Sequence, residues 1–157
     1  MSANLKEIGI YTFAYCSNLA SVNTNSVVKI GQGAFERCIS LTSITIPDGV
    51  TSITHETFYG CASLTSIAIP ESVTEIGSSA FENCISLTSI AIPDGVLSID
   101  GSAFENCTSL TSITIPGRIR YIGWNAFENC TNLNIHVPAG SYAEEYAKEN
   151  NINFIAE

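Results

Sequence analysis

The apolar positions of this chain fall into one pattern that returns along almost its whole length. One unit, Leu64 to Ser86, reads LTSIAIPESVTEIGSSAFENCIS. Its opening alternates, with Ile67 and Ile69 inward and Ser66 and Ala68 outward, which predicts a short strand over 64–69 with one buried face. Pro70 ends it, because proline has no N–H to give to a ladder. Val73 and Ile76 point inward from a second, irregular segment, and Gly77 permits a turn. Ala80-Phe81 and Cys84 sit three apart, which predicts a single helical or 3₁₀ turn.

The same residues recur in phase. Cys16, Cys38, Cys61, Cys84, Cys107 and Cys130 are spaced 22, 23, 23, 23 and 23. Phe13, Phe35, Phe58, Phe81, Phe104 and Phe127 keep those intervals, as do the leucines from Leu19 to Leu133, and five prolines share the phase. Such a period marks a repeat solenoid. One unit cannot bury its apolar side alone; stacking does so and sets like residues above one another. Adjacent turns are expected about 4.8 Å apart, in a body roughly 25–30 Å long.

The whole chain, 1–157, reads as a single solenoid domain. Residues 1–18 form an incomplete first repeat, 19–138 carry repeats of about 23 residues, and 139–157 form a C-terminal helix–strand cap. Leu5, Ile8, Phe13 and Cys16 match Val27, Ile30, Phe35 and Cys38 without a strand before them, and Leu19–Val22 is a degenerate strand. An apolar layer and a strand edge are therefore expected to lie open there, offering self-association through the N-terminal end. Ser141-Tyr142-Ala143-Glu144 reads as a capping box that opens a helix from Tyr142 to about Glu149, with Ile152–Ile155 as a closing strand. The expectation is the C-terminal portion of a longer solenoid.

The pattern L-x-x-I-x-I-P-x-x-V-x-x-I-G-x-x-A-F-x-x-C, as in LTSITIPDGVTSITHETFYGC from Leu41 to Cys61, resembles the BspA-like class of leucine-rich repeats over residues 5 to 138. The resemblance implies a curved solenoid, with short parallel strands on the concave face and turns or short helical or 3₁₀ segments on the convex side. It also implies an extracellular or cell-surface protein with a role in adhesion. Family adhesins usually carry export signals and many more repeats. The N-terminus, MSANLKEIGI, has no apolar run of signal-peptide length. The alternative is an intracellular or structural protein-interaction solenoid; both readings are non-enzymatic.

Charge narrows the partners. Fifteen acids against six bases give a net charge of -9, which opposes phosphate backbones and anionic lipid. Nucleic acid and membrane are therefore poor partners, and a protein or glycan ligand is left.

Reactive chemistry is thin. The cysteines form no C-x-x-C pair, and stacked thiols make a line where zinc takes a tetrahedron. Parallel Cα–Cβ vectors hold neighbouring Cβ atoms about 5 Å apart, beyond the roughly 3.5–4.5 Å of a disulfide, so a ladder of buried thiols is expected. His55 and His136 lie in different repeat phases and share no site, and Cys130, near His136, is in the core phase. No general acid–base pair or phosphate loop is spelled out, so neither a catalytic residue nor a cofactor is expected. Glu82, Glu105 and Glu128 stack in successive F-E-N-C boxes. Such a column is either a solvated edge or a weak calcium site.

Two surfaces are candidates for recognition. Ser43, Ser66, Ser89 and Ser112, with Thr45, Thr114 and the outward His136, make a flat face on the sheet; the same hydroxyl columns also serve simply to stabilise it. Trp124 stands where other repeats have Gln32, His55, Ser78 and Gly101, and Tyr121 stands where they have Lys29, Ser52, Glu75 and Ser98. With Arg118 and Arg120 they have the residue types that anchor interfaces. The other reading packs Trp124 against Tyr142 or Tyr146 of the terminal helix.

Overall fold

A computed structural model describes residues 6–157 as a parallel β-solenoid closed by one short helix; Leu5 lies outside the described residues. Each turn has three segments. The first is the I-x-I strand: β5 (Ser89–Ala91), β7 (Ser112–Thr114) and β9 (Asn134–Val137) pair in order, with β10 (Asn153–Ala156) outermost. Like residues lie in register, Ile90 on Ile113 and Ile113 on Ile135. In the earlier turns this ladder thins to a single bridge between Thr45 and Ala68, so the strand expected over 64–69 is not continuous. There the Thr65 amide and hydroxyl both donate to the Thr42 carbonyl, at 3.3 and 3.5 Å. The threonine column thus bonds to main chain one turn away, not to other hydroxyls.

The second segment, read as irregular, makes sheets of its own. It contributes β1 (Glu7–Ile8), β2 (Lys29–Ile30), β3 (Ser52–Ile53), β4 (Glu75–Ile76), β6 (Ser98–Ile99) and β8 (Tyr121–Ile122). β1 pairs with β2, and β3, β4, β6 and β8 form a separate sheet. These strands are only two residues long and draw every ladder bond from a neighbouring turn, so no local alternation announces them.

The third segment is a run of tight turns, and the helical or 3₁₀ turn expected at Ala80–Cys84 is absent. Two positions per turn are left-handed: Tyr11, Gly33, Glu56, Ser79, Ser102 and Asn125 in one column, and Tyr15, Arg37, Gly60, Asn83, Asn106 and Asn129 in the other, all with φ between 53° and 67°. A left-handed residue in every four interrupts any helix. The amides divide accordingly: Cys84 N–H donates within its own turn to Phe81 O at 3.1 Å, whereas Phe81 and Asn83 donate to Ala103 and Glu105 of the next turn at 2.8 and 2.9 Å. A bulky side chain in this conformation costs about 1–2 kcal/mol.

The core is a set of columns. From Phe13 to Phe127 the rings stack with centroids 5.2–5.6 Å apart. Tyr146 closes the column edge-on over Phe127 at 6.2 Å. Five cysteines are buried beside them, but Cys16 of the terminal turn is exposed, which corrects the expected ladder of six. Gly31, Gly77 and Gly123, at one repeat position, let turns approach closely: a Cβ on Gly123 would stand 2.3 Å from Gly101 N.

The cap is built from α1 (Tyr142–Glu149). Ser141 Oγ accepts from Glu144 N–H at 3.3 Å, and the Glu144 carboxylate reaches back to Gly140 N–H, one residue before the box predicts. The Lys148 ammonium beside it holds the Glu144 carboxyl below its ordinary pKa. Ala143 and Ala147 are buried against the stack. No described helix is long and apolar enough to cross a membrane.

Candidate interaction surfaces

The C-terminal patch surrounds β8. Tyr121 points outward, half exposed, while Ile122 fills the core. The Arg120 amide donates to Leu97 O at 2.9 Å, which fixes this turn on its neighbour. Arg118 and Arg120 are exposed, and among the described residues neither lies within ion-pair distance of a carboxylate. Trp124 is 82% exposed. It stands at the rim of a recess of about 380 Å³ that also touches Phe127, Tyr146 and Ile152. Trp124 and the helix therefore share a recess without the indole being buried by it. All four candidates reach solvent on this last turn.

The serine–threonine face is an open sheet surface. Ser89 lies beside Ser112, and Ala91, Thr114 and His136 follow one another across the strands. Ser43, Thr45, Ser66 and Ser89 are exposed; Ser112 and His136 are half-buried. His136 Nδ1 approaches Glu157 Oε1 at 3.6 Å, and both line a recess of about 230 Å³ with Thr114 and Pro138. Phase alone did not join His136 to Glu157, because the cap brings Glu157 back to β9 after the repeat has ended.

Glu82 and Glu105 are half-buried and Glu128 is exposed. Glu82 Oε1 accepts from Asn83 Nδ2 at 3.2 Å. Among the described residues no three His, Cys, Asp or Glu side chains converge as a metal site would need.

A fourth surface went unnoticed in the repeat pattern. Tyr11, Tyr15, Arg37 and Tyr59 gather on the turns of the first three repeats. The Arg37 guanidinium lies over Tyr15 at 5.8 Å and over Tyr59 at 5.5 Å. Tyr11 Oη accepts from Gln32 Nε2 at 2.9 Å and donates to Glu56 Oε2 at 3.2 Å. Partial desolvation and then Glu56 raise the Tyr11 pKa; Glu36 beside the Tyr15 hydroxyl raises that of Tyr15. The available signal was substitution within the left-handed columns, where later repeats carry Asn83, Asn106 and Asn129.

Beside this cluster the second ladder is interrupted, since β2 and β3 belong to different sheets. Thr54 occupies the position of Gly31 and Gly77, and its hydroxyl, at 3.4 Å, takes the Ile30 carbonyl that a backbone amide takes elsewhere. A groove of about 470 Å³ opens there, lined by Ile10, Val28 and Val50 with Gln32, Thr51 and His55.

Comparison with known proteins gives a consistent result. The family described as BspA type Leucine rich repeat region matches in six copies, over residues 1–61 and 28–154. A leucine-rich repeat protein from Bacteroides ovatus is 35% identical with a TM-score of 0.84, covering 100% of this chain and 41% of that one. The Treponema pallidum leucine-rich repeat protein is 29% identical, with a TM-score of 0.73 and coverages of 85% and 64%. A leucine-rich cell surface protein from Faecalibacterium prausnitzii is 27% identical, with a TM-score of 0.53 and coverages of 85% and 51%. This chain thus spans less than two thirds of the length of each. No curated protein matches the sequence significantly.

Proposed function

Because this chain belongs to the BspA-type leucine-rich repeat family, we propose that it is a non-enzymatic binding scaffold of a bacterial surface protein, with a role in adhesion to a protein or glycan. The observation that carries the reading is the last turn. The stack there presents Trp124, 82% exposed, beside Tyr121 and two arginines that have no carboxylate partner among the described residues. Trp, Tyr and Arg are the residue types that dominate interface energies. A tryptophan left in water is a cost to the isolated chain that contact with a partner removes. The likeness to a leucine-rich cell surface protein supports the location.

Recognition runs over an extended surface, since a solenoid repeats shallow equivalent positions rather than building one deep pocket. Binding to matrix proteins and glycans, measured for the wild type and for Trp124→Ala and Arg120→Ala, tests this. Each substitution should weaken binding by about 1–2 kcal/mol with folding intact. Unchanged binding would move the site to the face of Ser43, Ser66, Ser89 and Ser112. The edge of β1, which among the described residues pairs with β2 alone, offers a second contact, to another copy of the chain; sedimentation at rising concentration would reveal it.

A further inference from the structure

We propose that the first three turns carry a carbohydrate site, in which Tyr11 is a stacking platform for a neutral sugar ring and Gln32, His55 and Glu56 bond to its hydroxyls. The Tyr11 ring crosses Gly33, so that a Cβ on that glycine would stand 2.0 Å from Cε1. The ring is thus backed by main chain and held at its hydroxyl by Gln32 and Glu56, at 2.9 and 3.2 Å. Its remaining surface, 43% of the residue, faces water. An aromatic ring fixed in advance loses little freedom when a ligand stacks on it.

The surroundings select the ligand. A sugar ring offers an apolar C–H face and a rim of hydroxyls, and the site offers an aromatic face with an amide, an imidazole and a carboxylate at its edge. His55 Nδ1 is 2.9 Å from Ser78 O and Nε2 is 3.4 Å from Glu56 Oε2, so the imidazole and the carboxylate are held side by side and would present their edge to the sugar together. The groove of about 470 Å³ continues from Gln32 and His55 past Thr51 and Ser52 over an apolar floor of Val28 and Val50, giving room for an adjoining sugar unit. Lys29 and Arg37 balance Glu36 and Glu56, so the local field favours neither an anion nor a cation, and the net charge of -9 disfavours a phosphate-bearing nucleobase. Left-handed positions filled by Asn or Ser in later turns here hold Tyr11 and Tyr15, and strained backbone kept for particular side chains is a mark of functional sites. The site lies at the opposite end of the stack from Trp124, so it stands or falls apart from the C-terminal patch.

The test is NMR titration of the whole chain with neutral hexose and N-acetylhexosamine oligosaccharides, following amide shifts, with Trp124 fluorescence read in parallel. Shifts should centre on Tyr11, Gly33 and Glu56, whether or not the Trp124 signal reports a separate event at the C-terminal patch. Tyr11→Ala should weaken binding about tenfold or more. Gly33→Ala, which keeps the tyrosine but displaces its ring, should do the same, and Tyr11→Phe should retain most of the affinity and guard against a folding artefact. No shifts with any oligosaccharide, shifts that survive Tyr11→Ala, or a response only to added peptides would overturn the proposal.

Discussion

The Cys84 thiol donates to the carbonyl oxygen of Phe58, one turn earlier, at 3.2 Å. The same bond joins Cys61 to Phe35 and Cys107 to Phe81, each at 3.2 Å. The cysteine is thus both a small apolar filler and an inter-turn staple. A water-soluble thiol reagent should label Cys16 quickly in the native protein and reach Cys38, Cys61, Cys84, Cys107 and Cys130 only on unfolding. Fast native labelling of Cys84 would contradict the arrangement.

Those thiols also make stability depend on pH. Burial pushes Cys38 and Cys130 up to about 11, and Cys61, Cys84 and Cys107 higher still. Unfolded cysteines titrate near 8.5, so above that pH, and up to the folded values, the unfolded chain releases protons that the folded chain keeps. The stabilisation is therefore complete below about pH 8.5 and declines as pH rises, by about 1.4 kcal/mol per pH unit for each thiol. Melting temperature under reductant should fall steadily from neutral to alkaline pH, less steeply in Cys84→Ala; parallel slopes for the two proteins would refute the mechanism.

Gly123→Ala should destabilise by about 1–3 kcal/mol, the usual cost of overpacking. The added carbon would meet the backbone at Gly101 N, 2.3 Å away, rather than a movable side chain. Urea unfolding measures the loss.

Phe81→Ala should cost about 3–5 kcal/mol, because the ring is fully buried between Phe58 and Phe104. Among the described residues Phe13 stacks on Phe35 alone, and it is half-buried, so Phe13→Ala should cost clearly less. Equal losses would mean that the first turn is as well covered as the middle of the stack.

Trp124→Ala should leave stability within about 0.5 kcal/mol, as for an exposed site, since the residue is 82% exposed. A larger drop in the unfolding midpoint would show that the indole seats the terminal helix.

The solenoid, its period and its core were legible because each buried column is one residue type repeated at a fixed spacing. Phe35 and Phe58 stack because both are phenylalanine in the same phase. The cap was legible too, since Ser141 and Glu144, three positions apart, form a local signal. Tertiary structure decided what lies between. Strands such as Glu75–Ile76 exist only because the neighbouring turns supply their partners, and the turn at Ala80–Cys84 is not helical because two of its five amides, those of Phe81 and Asn83, bond to the next turn. The candidate surfaces divide the same way. Trp124 stood out as a break in its column, but the Tyr11 site depends on a ring crossing Gly33 to reach Glu56, 45 residues away in sequence. Side-chain pattern records which residues face the core; hydrogen bonds between turns are made by backbone common to every residue, and only the stacked fold determines where they close or leave a groove.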